Sequence, residues 1–132
     1  MEWTLEVVPV PVADVERAKR FYGEQVGFAV DHDTRVDENV RIVQLTPPGS
    51  NCSIVIGMAE MEPGSLKGLQ LVVPDIERAR AQLLERGVEA GKVQHYEGAE
   101  LVDGPGGAWN NFVRFSDPDG NQWVLQERPA GR

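Results

Sequence analysis

Val12-Ala13-Asp14-Val15-Glu16-Arg17-Ala18-Lys19-Arg20 and Val73-Pro74-Asp75-Ile76-Glu77-Arg78-Ala79-Arg80-Ala81 are two copies of one stretch, 61 residues apart. Five of the nine positions are identical, and Val/Ile, Lys/Arg and Ala/Pro keep size or charge at three more. In both copies an Asp stands directly before an apolar-periodic run, the arrangement that caps a helix. A repeat of this period marks a duplicated supersecondary unit. What one half places at a given point can therefore be compared with what the other half places there. Two equivalent halves also tend to build a ligand site along their seam.

Working outward, Leu5 to Val12 reads as a strand, and Pro9 and Pro11 put it at an edge or in a strand paired mainly on one side. The helix capped by Asp14 has Val15, Ala18, Phe21 and Tyr22 on its apolar face, and Gly23 and Gly27 end it. Strands are predicted at Phe28 to Asp31, Val40 to Leu45 and Cys52 to Ile56, the last two joined by the turn Pro47-Pro48-Gly49-Ser50-Asn51. The second half repeats the order. It has a strand at Leu69 to Val73, a helix after Asp75 stopped by Gly87, and a strand opened by Val93. Strands at Phe112 to Phe115 and Trp123 to Gln126 follow, around the turn Asp117-Pro118-Asp119-Gly120-Asn121. Gly98 to Trp109 reads as a long loop with four glycines, a length that is often functional.

Each half is thus β-α-β-β-β. The predicted fold is α+β: two tandem βαβββ modules forming a curved, partly closed mixed sheet around a cleft, with helices outside. The chain forms one domain over residues 1–132, with module 1 at about 1–58, a linker at 59–67 and module 2 at about 68–128. A ferredoxin-like sandwich is the alternative, but it has fewer strands per half.

The opening Val-x-Asp, Phe21-Tyr22 and Gly27-Phe28, with the closing Phe115-Ser116-Asp117-Pro118-Asp119-Gly120-Asn121-Gln122-Trp123, resembles the vicinal oxygen chelate proteins. These form the glyoxalase / bleomycin-resistance / extradiol dioxygenase superfamily. The resemblance spans essentially the whole chain. It implies a cleft that, in the enzymes, holds a divalent metal on His or Glu ligands from the first and last strand of each module. That metal acts as a Lewis acid on two adjacent substrate oxygens.

By the same resemblance, the first-strand ligand lies seven residues before the capping Asp, at Val7 and Gly68. The last-strand ligand lies four residues after the turn glycine, at Val124. Aligning the two turns places Ile54 opposite Val124. None of the four offers the N, O or S donor that a metal needs, so no metal and no cofactor is expected. A slip of one residue brings in Glu6, but alternation assigns it to the helix-packed side, and Glu127 has the wrong parity to share a face with Val124.

Gln70 shares parity with Gly68, and Gln122 with Val124. Both are either ligand-orienting groups or solvated strand ends. Trp109, beside Asn110-Asn111, either stacks on a flat ligand or plugs the cleft mouth. Trp123 reads as core. His32 and His95 lie in polar stretches and read as surface residues, with His95 the better functional candidate because it precedes the long loop. Cys52 reads as an inert thiol. The candidate ligand-binding cleft is Val7, Ile54, Gly68, Gln70, Trp109, Gln122 and Val124, with no catalytic residue assigned.

A net charge of −8 with a pI near 4.7 argues against nucleic acid and anionic membranes. One cysteine allows no intrachain disulfide and fits a reducing, cytoplasmic setting. No signal-peptide pattern is read at Trp3 to Val8, and no apolar run reaches the roughly 20 residues of a membrane span. These features, with the resemblance, imply a homodimeric protein that binds or sequesters a small amphipathic or aromatic molecule, as the bleomycin-resistance members do. Two alternatives stand beside it. One is a metal-dependent lyase, isomerase or dioxygenase with displaced ligands. The other is an interaction domain whose cleft is filled.

Overall fold

A computed structural model of the chain describes residues 1–131. It divides into two compact units, Met1–Leu66 with Asp117–Asn121, and Lys67–Ser116 with Gln122–Arg132. Each carries one helix-capping repeat and one mixed sheet.

In the first unit, Asp14 adopts extended backbone and its carboxylate accepts from the Arg17 amide at 3.1 Å, opening α1 (Val15–Arg20). The chain then continues as a π-helical turn, Phe21–Val26, and stops at Gly27 with φ 96°. Gly23 therefore sits inside the helical stretch instead of ending it. A Cβ there would fall 3.5 Å from Val30 and 3.8 Å from Leu45, ordinary packing distances. The sheet runs β1 (Val7–Val10), β4 (Ser53–Ile56), β3 (Arg41–Thr46), β2 (Ala29–Arg35), with β1 parallel to β4 and the other pairs antiparallel. Strand β1 is at an edge, where Pro9 removes no needed ladder donor.

Leu45 and its alternates Val43, Ile54, Ile56 and Val10 pack with Ala18, Phe21, Tyr22 and Phe28 as the core of this unit. The Tyr22 ring stacks on Phe28 at 5.8 Å and meets Phe21 edge-on at 5.1 Å. The turn Asp117–Asn121 completes the unit. The Tyr22 hydroxyl donates to Asp117 Oδ2 at 2.6 Å, and Asn121, fully buried, donates to Pro11 O at 2.8 Å and Asp117 Oδ2 at 2.7 Å. Asn121 Oδ1 accepts from the Leu66 amide at 3.1 Å. The stretch that reads as a linker is thus packed, and Gly64 donates to Pro11 O at 3.1 Å.

In the second unit, Asp75 accepts from the Arg78 amide at 3.1 Å and opens α2 (Ile76–Glu85). The sheet order is β5 (Leu69–Val73), β9 (Gln122–Glu127), β8 (Phe112–Ser116), β6 (Gln94–Glu97), β7 (Glu100–Asp103). Its core is Ile76, Leu83, Val113, Phe115, Trp123 and Leu125, with Phe115 and Trp123 stacked at 6.1 Å. The repeat holds in the frame and breaks in strand number, because β7 lies inside the expected loop. Glu100-Leu101-Val102-Asp103 turns back on β6 around Gly98, which shortens the irregular stretch to 104–111.

Candidate functional site

The face of the five-stranded sheet turned away from α2 is built by alternation. Val113, Phe115, Trp123 and Leu125 point into the core. Phe112, Arg114, Val124, Gln126 and, on β5, Gln70 and Val72 therefore point the other way. Gln70 faces Val124, and Val124 faces Arg114, in one cross-strand row. In the next row Gln126 faces Val72 and Phe112, and Phe112 faces Gln94.

These side chains organise one another. The Tyr96 ring meets Phe112 edge-on at 5.4 Å, and the Tyr96 hydroxyl accepts from Arg114 Nη2 at 3.1 Å. Gln70 donates to Gln126 Oε1 at 2.6 Å, and Gln126 donates to the Trp109 carbonyl at 2.8 Å. Trp109 has φ 61°, a left-handed backbone uncommon outside glycine, and the residue is 37% exposed.

Strained local geometry of this kind persists where the surroundings hold it, and here two asparagines do so. Asn110 Oδ1 accepts from the Tyr96 amide at 2.8 Å and its Nδ2 donates to Tyr96 O at 2.9 Å, so its side chain takes the place of a strand partner. Asn111 is buried. It accepts from the Gly106 amide at 2.7 Å and donates to Gly107 O at 3.1 Å.

His95 lies on the opposite face of β6 from Tyr96. Its Nδ1 sits 2.7 Å from Gly104 O and its Nε2 2.8 Å from Glu97 Oε2. Both partners are acceptors, an arrangement that favours the imidazolium over the neutral ring. The Gly104 carbonyl first and the Glu97 carboxylate second raise its pKa above the ordinary histidine value. His32 is exposed on β2.

Of the seven residues expected in a cleft, Gln70 and Val124 are cross-strand neighbours, Gln122 leads into the same face, and Trp109 joins it through its carbonyl. Gly68 precedes β5 and donates to Gln122 O at 3.0 Å. Val7 and Ile54 belong to the other unit. Val7, 41% exposed, pairs with Ser53, whereas Ile54, 4% exposed, pairs with Val8 and Leu45 on the helix-packed face. Ile54 is therefore a core residue, a correction to its expected place in the cleft.

The reason is one extra residue in the first turn. Leu45 pairs with Ile54 as Phe115 pairs with Trp123, so the position equivalent to Val124 is Val55. The correction leaves the chemistry unchanged: Val7, Val55, Gly68 and Val124 present no donor, and the residues at these places do not fit a divalent metal. Among the described residues no three His, Cys, Asp or Glu side chains gather as a metal-binding group. Glu127, the carboxylate nearest Val124 in sequence, accepts from the Ile76 amide at 2.8 Å and so serves the start of α2.

Tyr96, Phe112, Arg114 and Gln126 have no place in the sequence-based site. The available signal was Arg114 itself, a lone cation between Val113 and Phe115 in an otherwise apolar strand. The first unit contains a separate groove of about 290 Å³ beside α1, but Glu16 and Arg20 at its rim pair with each other at 3.4 Å.

Two frames, each with a strand, a capped helix and a mixed sheet, fit one fold family. The chain belongs to the Glyoxalase/Bleomycin resistance protein/Dioxygenase superfamily, whose family model matches residues 4–125. It is similar to the crystal structure of TnmS3, an antibiotic binding protein from Streptomyces sp. CB03234. The TM-score is 0.76 and the identity 36%, over 96% of this chain and 97% of that one. A superfamily member from Sphaerobacter thermophilus DSM 20745 gives a TM-score of 0.76 at 32% identity, over 96% and 98%. YetH, an uncharacterized protein of Bacillus subtilis (strain 168), is 30% identical over 124 residues, covering 91% of this chain and 94% of its own length. No described helix is long and apolar enough to cross a membrane.

Proposed function

We propose that the chain is a metal-free binding member of this superfamily. It holds a small aromatic or amphipathic molecule against the face of the five-stranded sheet formed by Gln70, Tyr96, Phe112, Arg114, Val124 and Gln126. The observation that carries the reading is the Tyr96–Phe112 ring pair set beside a guanidinium and a glutamine relay. Apolar walls with a few placed polar groups are the usual composition of a small-molecule site. The description of TnmS3 as an antibiotic binding protein, at 36% identity over nearly the full length, supports the same reading. A homodimeric, cytoplasmic protein with no nucleic-acid partner completes the proposal, the last from the net charge of −8.

Burying about 200 Å² of a flat ligand contributes about 5 kcal/mol at 25 cal/mol per Å². Association costs take back most of that, so tight binding requires the polar groups as well. A thermal-shift screen with planar aromatic compounds tests the reading. A binder at a hundred times its Kd adds about 2.7 kcal/mol to stability, and Phe112→Ala or Tyr96→Ala removes the gain. If no planar compound raises the melting temperature at millimolar concentration, the reading fails.

A further inference from the structure

Arg114 carries an unmet demand. Its Nη2 donates to the Tyr96 hydroxyl at 3.1 Å, but its Nη1 is closed off from water and has no hydrogen-bond partner among the described residues. Buried polar groups are nearly always paired, and a charged one left unpaired is the costliest kind. The second such atom among the described residues, Asp119 Oδ2, is different. The other oxygen of that carboxylate accepts from Arg17 Nη2 at 3.0 Å and from the Ala13 amide at 3.3 Å. Among the described residues Arg114 forms no ion pair, although the chain has 21 acidic residues. Asp103, the carboxylate two strands away on this face, is engaged by the Gln94 amide at 3.0 Å.

We infer that the ligand of this face is a planar aromatic molecule bearing an anionic oxygen, a carboxylate or phenolate, which pairs with the Arg114 guanidinium while its ring packs on Tyr96 and Phe112. The inference rests on the proposed binding function and specifies its ligand class. A guanidinium presents a rigid fork of donors that suits such oxygens. Nη1 is enclosed, so the oxygen reaches it when a neighbouring side chain turns aside, a common adjustment on binding. The surplus of negative charge elsewhere disfavours anions in general, so selectivity for one must come from a local cation.

The test uses three matched probes on the full chain: naphthoate, naphthol and naphthylmethylamine, which keep the ring and change the charge. Titration calorimetry on the wild type is expected to give naphthoate at least about tenfold tighter binding than naphthylmethylamine, with neutral naphthol between them. In Arg114→Gln, with its unfolding midpoint checked, the preference for naphthoate over naphthol and naphthylmethylamine collapses to within about threefold. Arg114→Lys restores part of the preference, because charge survives and the fork does not.

Equal or tighter binding of naphthylmethylamine by the wild type overturns the inference and leaves the binding function standing. So does an Arg114→Gln variant that keeps the full preference. If none of the three probes binds, the binding function itself falls. The wild-type series decides the question even if Arg114→Gln does not fold.

Discussion

Asn121→Ala removes one side chain that serves three partners. The side chain is fully buried, donates to Pro11 O at 2.8 Å and Asp117 Oδ2 at 2.7 Å, and accepts from the Leu66 amide at 3.1 Å. Two of these are neutral hydrogen bonds worth about 1 kcal/mol each, and the one to the carboxylate is worth about 2 kcal/mol, so the loss is about 4 kcal/mol. With an unfolding entropy of about 2.1 cal/mol/K per residue over 132 residues, the melting temperature falls by about 14 °C. Tyr22→Phe deletes the 2.6 Å bond to Asp117 and costs about 2 kcal/mol, or about 7 °C. The two substitutions share Asp117, so the double variant departs from the sum. Calorimetry and urea unfolding on the three variants measure all of this. A fall of less than about 3 °C for Asn121→Ala would refute the view that the Asp117–Asn121 turn is anchored through this amide.

Gly64→Ala is expected to destabilise the chain more than any surface change. A Cβ there would lie 2.0 Å from Asp119 O on backbone with φ 79°, and a urea midpoint within error of wild type would contradict the packing. The raised pKa of His95 sets a sign for its pH dependence. Its contribution is full below the unfolded value of 6.5 and is lost as pH rises through the folded value, so the stability gap to His95→Gln narrows at alkaline pH. Asp33 has the opposite sign. Arg41 at 2.7 Å first, then Lys19 at 2.7 Å, hold its carboxyl far below the usual range. Its contribution is present above about pH 4 and lost as pH falls, so Arg41→Gln differs most from wild type near neutrality and converges in acid, as acid-unfolding curves would record. Elemental analysis of protein purified without chelator is expected to find no stoichiometric divalent metal, and a metal at one equivalent per chain would overturn the metal-free reading.

The two capping aspartates were legible because an N-cap is a local event: Asp14 and Asp75 each need only the amide three residues on. The closing hairpin was legible for the same reason, its turn residues lying within five positions. Strand β7 was not, because Glu100-Leu101-Val102-Asp103 looks polar at both ends and shows its alternation only when paired with β6. The extra residue in the first turn was hidden too. Gly49 and Gly120 look alike, and only the Leu45–Ile54 and Phe115–Trp123 pairings reveal that one turn is longer. The candidate site suffered most from this, since a shift of one residue moves a side chain to the other face. Gln70, Gln122 and Val124 were within reach of parity counting. Tyr96 and Phe112 were not, because they come from strands whose register is set across the sheet.

The repeat that defines the frame also bears on how the side chains of this face in the second unit are held in place. Asn111 fastens the stretch before it through Gly106 and Gly107, and its own carbonyl accepts from the Glu127 amide at 3.1 Å. Glu127 in turn accepts from the Ile76 amide at the start of α2, directly after the second capping Asp. The helix start, the end of β9 and the 104–111 stretch are therefore one hydrogen-bonded chain. That chain fixes the Trp109 carbonyl where Gln126 and then Gln70 can lean on it. Groups held in place before a ligand arrives lose little freedom when it binds, and affinity rises accordingly. The duplicated cap is thus more than a record of ancestry. In the second copy the residue after the cap, Ile76, is the fixed end of the network that holds Gln126 and Gln70 on the sheet face that also carries Arg114.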